Sequence, residues 1–237
     1  MRKTFLVTLL LAALAGLSSP VKSNCAASGM KFTDSTAALP YDAEVEYIDS
    51  IVPAFIDTGI TVSPSCIVEV DVQCLSAGGA SLGTIMGVNG DRYMFRYDGS
   101  SSLSLNVVSR GSASGYGNWV SIKQNPKTRH LYTYGSEGIA VDGVILADES
   151  TSTVVFNAYS PTFKIAGGFN AANARGGNNR YWRVSIWKDG ELVRDFQPVR
   201  FTNENGETEG AMYDKVTKTL FANSNVGNGT FTSGPDK

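Results

Sequence analysis

Apolar and polar residues alternate with a period of two along much of the chain from Val45 onward. The pattern is clearest where Val68, Val70 and Val72 interleave with Glu69, Asp71 and Gln73, as in a strand with one buried and one wetted face. It recurs in Tyr93, Phe95 and Tyr97, and in Leu103, Leu105 and Val107. Further strands are predicted over 81–88, 119–123, 129–134, 139–141, 144–147, 153–156, 162–167, 181–187 and 191–196. Asp98-Gly99, Asp142-Gly143 and Asp189-Gly190 separate such runs, and Asp-Gly supplies the positive φ angles of a tight hairpin turn. Past the first residues, no long segment holds a 3.6-residue apolar stripe. The spacing of strands and turns predicts an all-β fold, an antiparallel two-sheet sandwich in a single domain.

The start of the chain follows another rule. Met1-Arg2-Lys3 is cationic, Phe5 to Leu17 is apolar, and Ser18-Ser19-Pro20 breaks any helix before Val21-Lys22-Ser23. This is the layout of a secretory signal peptide over 1–23, cleaved before Asn24, with Ala13-Leu14-Ala15 a second site. The apolar run is short for a membrane span, and no transmembrane segment is expected in the mature chain. Lys22-Ser23-Asn24 ahead of Cys25 lacks the aliphatic and small residues of a lipidation site. Residues 24–44 read as an irregular lead-in and 45–237 as the folded domain. The expected location is secreted, whether periplasmic, extracellular or on the cell surface.

Composition narrows the class further. In 237 residues, 42% are hydrophobic and 18% charged, which provides for a sizeable core and excludes whole-chain disorder. Twenty basic residues stand against 22 acidic ones, so the chain lacks the cationic excess of a nucleic-acid binder. Loss of residues 1–23 removes Arg2, Lys3 and Lys22, leaving 17 basic residues and a net charge of −5. The three cysteines form no disulfide framework. Cys66 and Cys74 share one strand, and a rise of ~3.3 Å per residue sets them roughly 25 Å apart, out of bonding reach. Their parity with Val68, Val70 and Val72 makes them small core residues, and the partner of Cys25, if any, stays open.

Several stretches in order resemble the concanavalin A-like, LamG-type jelly-roll modules of secreted bacterial and phage proteins. The first are Tyr47-Ile48-Asp49-Ser50 and Phe55-Ile56-Asp57-Thr58-Gly59-Ile60. Gly83-Thr84-Ile85-Met86-Gly87, the hairpin Ala140-Val141-Asp142-Gly143, and Lys164-Ile165-Ala166-Gly167-Gly168 come next. The fullest match is Tyr181-Trp182-Arg183-Val184-Ser185-Ile186-Trp187, then Leu192 to Pro198, Gly210 to Lys215 and Leu220 to Asn223. The polar insert Asn203 to Glu209 looks like the hairpin before the last Tyr-Asp strand. The resemblance spans about residues 45–234. It implies the jelly-roll sandwich and says little of activity, because the fold hosts lectins, adhesion modules, enzymes and structural domains.

Simple parity puts Trp182, Val184 and Ile186 on one face of their strand and Tyr181, Arg183, Ser185 and Trp187 on the other. A strand apolar on both faces needs two covers, and the tail 211–231 is the expected second one, fixed by Arg194 and Asp195 through charge-assisted hydrogen bonds. On this reading Trp182 is core.

For function the leading expectation is a non-catalytic binding or adhesion module with a glycan or another cell-surface ligand. Candidate contacts are Tyr116, Trp119, Tyr181 and Trp187, whose rings can stack on sugars, and Asn170, Asn173 and Asn178, whose amides both donate and accept. The alternatives are a glycoside hydrolase and a structural surface or assembly component. Laminarinase-type hydrolases share the fold, and Glu69-Val70-Asp71-Val72 resembles the first part of their motif. Gln73-Cys74 follows where the acid/base Glu belongs, and retaining hydrolysis needs two carboxyls with separate roles. His130 is the one histidine, and no Gly-x-Ser-x-Gly elbow accompanies it. No catalytic residue and no cofactor is expected. Asn89, Asp91 and Asp98 could offer oxygen ligands to calcium, without an Asp-x-Asp-x-Asp array. Asn228-Gly229-Thr230 fits a glycosylation sequon, which matters only in a eukaryotic secretory pathway.

Overall fold

A computed structural model describes residues 38–76, 82–88, 92–98, 104–108, 119–122, 125, 127–135, 138–145, 159–167, 177–225 and 227–237. The chain divides into Met1–Ala38 and Leu39–Lys237, and every element below lies in the second unit. The strands are β1 (Ala43–Glu44), β2 (Ile48–Ile51), β3 (Ile56–Val62), β4 (Ile67–Ser76), β5 (Leu82–Val88), β6 (Arg92–Asp98), β7 (Ser104–Val108) and β8 (Trp119–Ile122). They continue with β9 (His130–Gly135), β10 (Gly138–Val141), β11 (Val144–Ile145), β12 (Tyr159–Ile165) and β13 (Asn178–Lys188). The last four are β14 (Glu191–Thr202), β15 (Thr208–Asp214), β16 (Thr219–Phe221) and β17 (Thr230–Ser233). Among the described residues there is no helix. The expected strand at 153–156 lies outside them, as do the signal segment and Cys25.

The strands form two antiparallel sheets, a β-sandwich. The larger has eleven strands along the path β11-β10-β9-β4-β13-β14-β15-β16, with β1 on β14 and β2 between β13 and β17. The smaller runs β3-β12-β5-β6-β7-β8. Alternation sets the register of burial: Cys66, Val68, Val70, Val72 and Cys74 all face inward, and both cysteines are free thiols. They meet Ile56, Ile85, Met86, Phe163 and Ile165 from the opposite sheet. At the hairpin tips the Asp-Gly pairs adopt the conformation their chemistry favours. Asp142 and Gly143 have φ of 51° and 78°, and Asp189 and Gly190 have 55° and 81°, the double positive φ of a type I′ turn.

The two sheets are also tied by polar bonds through the core. Strand β5 bulges between Thr84 and Met86, which turns carbonyls out of its own ladder. The Asn179 amide donates to Thr84 O at 2.9 Å and the Tyr181 hydroxyl to Ile85 O at 2.7 Å. Ile85 O also accepts from the Ala166 amide at 2.9 Å. Tyr181 thus adds a second donor there while Asn179 supplies one to Thr84 O, and buried carbonyls of the bulge stay satisfied from the facing strand.

The tail departs from expectation. It lies in the plane of the larger sheet instead of covering the outer face of β13: β15 pairs with β14, β16 with β15, and β17 with β2. Met212 and Phe231 turn into the core, and Phe221 packs edge-on against Phe196. Arg194 and Asp195 do fix it. The Asp195 amide donates to Asp214 Oδ1, the Lys215 ammonium lies 2.9 Å from Asp195 Oδ2, and Arg194 stacks over Phe221. The expected irregular lead-in ends in β1, which pairs with β14. Beside it, Val45 bridges Asp236, the Glu46 amide donates to Pro235 O and the Lys237 amide to Glu44 O. The two ends of this unit therefore leave side by side.

Candidate functional site

One extra residue in β13 creates the most distinctive surface. Against β4, Tyr181 pairs with Val72 and Arg183 with Asp71, with a register shift between them. Trp182 is the inserted residue, and a bulge reverses side-chain parity. Tyr181 therefore joins Val184 and Ile186 in the interior, while Trp182 and Arg183 both point outward. This corrects two expectations. Trp182 is an outer-face residue, not core, and Tyr181, wholly buried with its hydroxyl on Ile85 O, cannot touch a ligand.

Trp182 stands in a row of alternating guanidinium and aromatic groups. The Arg129 guanidinium carbon lies 4.3 Å above the Trp182 ring, Trp182 meets Tyr47 edge-on with centroids 5.9 Å apart, and Arg180 lies 3.7 Å above Tyr47. Each arginine is also gripped by a carboxylate. Arg129 donates through Nε and Nη2 to Asp71 at 2.8 and 2.7 Å, and Arg180 through the same nitrogens to Asp49, both at 2.8 Å. Bidentate pairing and ring stacking together hold a guanidinium in one orientation. Among the described residues neither Nη1 is bonded, so each arginine keeps fixed donors for another molecule. Gln73 joins the row: its amide nitrogen donates to Lys127 O at 2.8 Å and its amide oxygen remains an acceptor. Beneath the row, Gly234 packs on Tyr47, where a Cβ would come within 2.8 Å of the ring.

The pairing with Asp71 raises the affinity of Arg129 for its proton, and Asp49 does the same for Arg180, through hydrogen bonding to the carboxylate against the cost of partial burial. Both guanidinium groups thus stay charged at any ordinary pH. Arg129 is 53% exposed and Arg180 27%, open enough to be met from solvent.

Asn178 and Trp187, two other expected contacts, stand apart from this row. Asn178 uses its side-chain oxygen to accept from the Val52 amide at 3.1 Å, a structural bond. Trp187 is half-buried on the same outer face, five residues further along β13, roughly 16 Å away by strand rise. Trp119 lies on β8. Tyr116, Asn170 and Asn173 fall outside the described residues, as do Asn89 and Asp91. Among the described residues no cluster of three or more His, Cys, Asp or Glu side chains could hold a metal.

Two groupings bear on catalysis. Asp71, one of the two glycosidase suspects, has both oxygens on Arg129, which leaves Glu69 without a free carboxylate neighbour on its strand. The second grouping was not legible in sequence. His130 Nδ1 lies 2.8 Å from Asp142 Oδ2, and Nε2 lies 2.6 Å from Thr128 Oγ1. That has the connectivity of an acid–base–nucleophile relay. The Thr128 hydroxyl, however, donates to Asn125 O at 2.8 Å, so its proton is directed away from the ring. Asp142 is further fixed by the Leu131 amide at 2.9 Å, and the His130 ring and that amide hold its carboxyl below the usual range. The trio clasps the loop before β9 to the β10–β11 turn.

No protein-family model matches the chain, and no match to a curated protein is found. Among solved structures, it is similar to a "putative carbohydrate binding protein" from Bacteroides ovatus, with 15% identity and a TM-score of 0.45 over 79% of this chain and 58% of that one. The chain thus spans under two thirds of that protein's length. It is also similar to an apo Crh5 transglycosylase, with 13% identity and a TM-score of 0.33 over 67% of this chain and 90% of the other. Likenesses of this degree fix neither family nor ligand.

Proposed function

We propose that this protein is an exported, non-catalytic carbohydrate-binding module of concanavalin A-like jelly-roll form, and that it binds through the outer face of its larger sheet. The observation that carries the reading is the row Arg129–Trp182–Tyr47–Arg180 with its two clamped guanidinium groups. Sugar recognition needs directed donors and acceptors beside apolar ring surface, and donors already held in place lose little entropy on binding. Export is supported by the cationic start and apolar run of residues 1–17. Glycoside hydrolysis is the weaker reading, since Asp71 is committed to Arg129. Binding in this scheme needs no metal.

A glycan array with the purified protein, each hit also assayed for cleavage, tests the proposal. Selective retention without product release, unchanged by chelator and lost in Arg180→Ala, is the expected result. Retention that survives Arg180→Ala and Trp182→Ala unchanged would move the site elsewhere. Released sugar would restore the hydrolase.

A further inference from the structure

We infer that the ligand is an uncharged linear glycan lying across the strands, long enough to reach both arginines at once; this rests on the carbohydrate-binding reading above. The first argument is charge. Arg129 and Arg180 each carry a carboxylate partner at hydrogen-bond distance, Asp71 and Asp49, so the row has no net charge of its own. Beside the row, Glu69, on the same face of β4 as Asp71, is offset by the outward Arg183, itself paired with Asp195. An anionic sugar approaching either free Nη1 meets Asp71 or Asp49 within about 5 Å, where their repulsion largely cancels the attraction.

The second argument is hydrogen-bond polarity. The row offers donors at the two Nη1 groups and acceptors at the Gln73 amide oxygen and the unshared lone pairs of the two aspartates. A hydroxyl both donates and accepts and can use each kind of group, whereas a carboxylate or sulfate only accepts. A mixed surface of this sort selects hydroxyls.

Length follows from the sheet. Arg129 precedes β9, Asp71 and Gln73 lie on β4, Arg180 and Trp182 on β13, and Asp49 on β2, and these strands are neighbours in that order. Arg129 and Arg180 flank Gln73 on either side, so two steps of ~4.8 Å separate them, about 10 Å, the reach of about two sugar rings. A single ring cannot engage both arginines.

The test compares retention on neutral polysaccharides (a β-glucan, a mannan, a xylan) with retention on polygalacturonate, alginate and heparin, at low and at tenfold higher salt. Expected is retention on a neutral polymer that changes less than about twofold with salt, competed by its disaccharide and not by its monosaccharide. Retention only on acidic polymers, lost at high salt, would overturn this inference and leave the carbohydrate reading standing. Retention on no glycan would overturn both. Asp71→Asn with Asp49→Asn uncovers two positive charges, so the double variant should gain salt-sensitive retention on polygalacturonate. A folded double variant with the wild-type profile would refute the charge argument. If the pair does not fold, Asp71→Asn alone should show the same change in smaller measure.

Discussion

Trp182 and Tyr181 are neighbours in sequence with opposite fates, and substitutions separate them. Trp182→Ala should cost only about 1–2 kcal/mol, because it loses an edge-on ring contact and a cation–π contact at a half-open site. Phe196→Ala, fully buried, should cost about 3–5 kcal/mol. Equal losses in denaturant titrations would return Trp182 to the core. Tyr181→Phe leaves the ring in place and removes its donor to Ile85 O, a change expected to cost about 1–2 kcal/mol. Alternation in the sequence named both residues as important and assigned them the wrong faces. A bulge is one inserted residue, and nothing in Tyr181-Trp182-Arg183 marks where the phase breaks. Asp195 gives a prediction with a definite sign. Burial pushes its pKa up, but Lys215 and Arg183 together prevail and hold it below the usual carboxylate value. A carboxyl depressed in the folded state contributes stability above its unfolded pKa of about 3.9 and loses it as pH falls through the folded value. The denaturation midpoint should therefore drop on acidification below about pH 4, and Asp195→Asn should shallow that drop. An unchanged acid limb in the variant would mean that the Lys215 and Arg183 contacts do not persist in solution.

At the level of strands and turns the sequence is most readable where the cause is local. The Asp142-Gly143 and Asp189-Gly190 turns follow from two residues with a tolerance for positive φ, and both form hairpin tips. The polar hairpin at 203–209 is equally local: Asn203 Oδ1 accepts from the Asn205 and Glu207 amides, both at 3.0 Å, within five residues. Where the cause is a distant neighbour, the sequence is silent. Gly190 and Gly229 look alike on paper and both have positive φ, yet their surroundings differ. Nothing lies within 4 Å of a Cβ built on Gly190, so Gly190→Ala should cost only the backbone penalty, about 1–2 kcal/mol. A Cβ on Gly229 would sit 2.5 Å from both Ala54 N and Ile51 O, so Gly229→Ala must displace the segment after β2. Its midpoint should fall well below that of Gly190→Ala, and matching midpoints would show that segment to be free to yield.

For the whole molecule, the alternating pattern and absence of helical stripes lead to a two-sheet sandwich, because each half-buried strand demands a partner layer. Which strands lie side by side is another matter. The candidate site draws on residues 47–49, 71–73, 129 and 180–182, four stretches that only the sheet order brings together, and no window of sequence contains two of them. The tail shows the same limit: its apolar residues promise burial, and only the pairing with β14 and β2 shows that it is buried by widening the sheet. A last consequence concerns force. Because the 44–47 and 234–237 segments run antiparallel with Glu44 beside Lys237, tension applied between those two residues peels the bonds joining the segments one at a time. If the proposed glycan is held on the outer face, load passed into it would instead be shared among several strands in parallel. On the proposed function the same fold is thus a weak spring when stretched between Glu44 and Lys237 and a stiff anchor when pulled through a ligand on its outer face, a difference single-molecule pulling in the two geometries would measure directly.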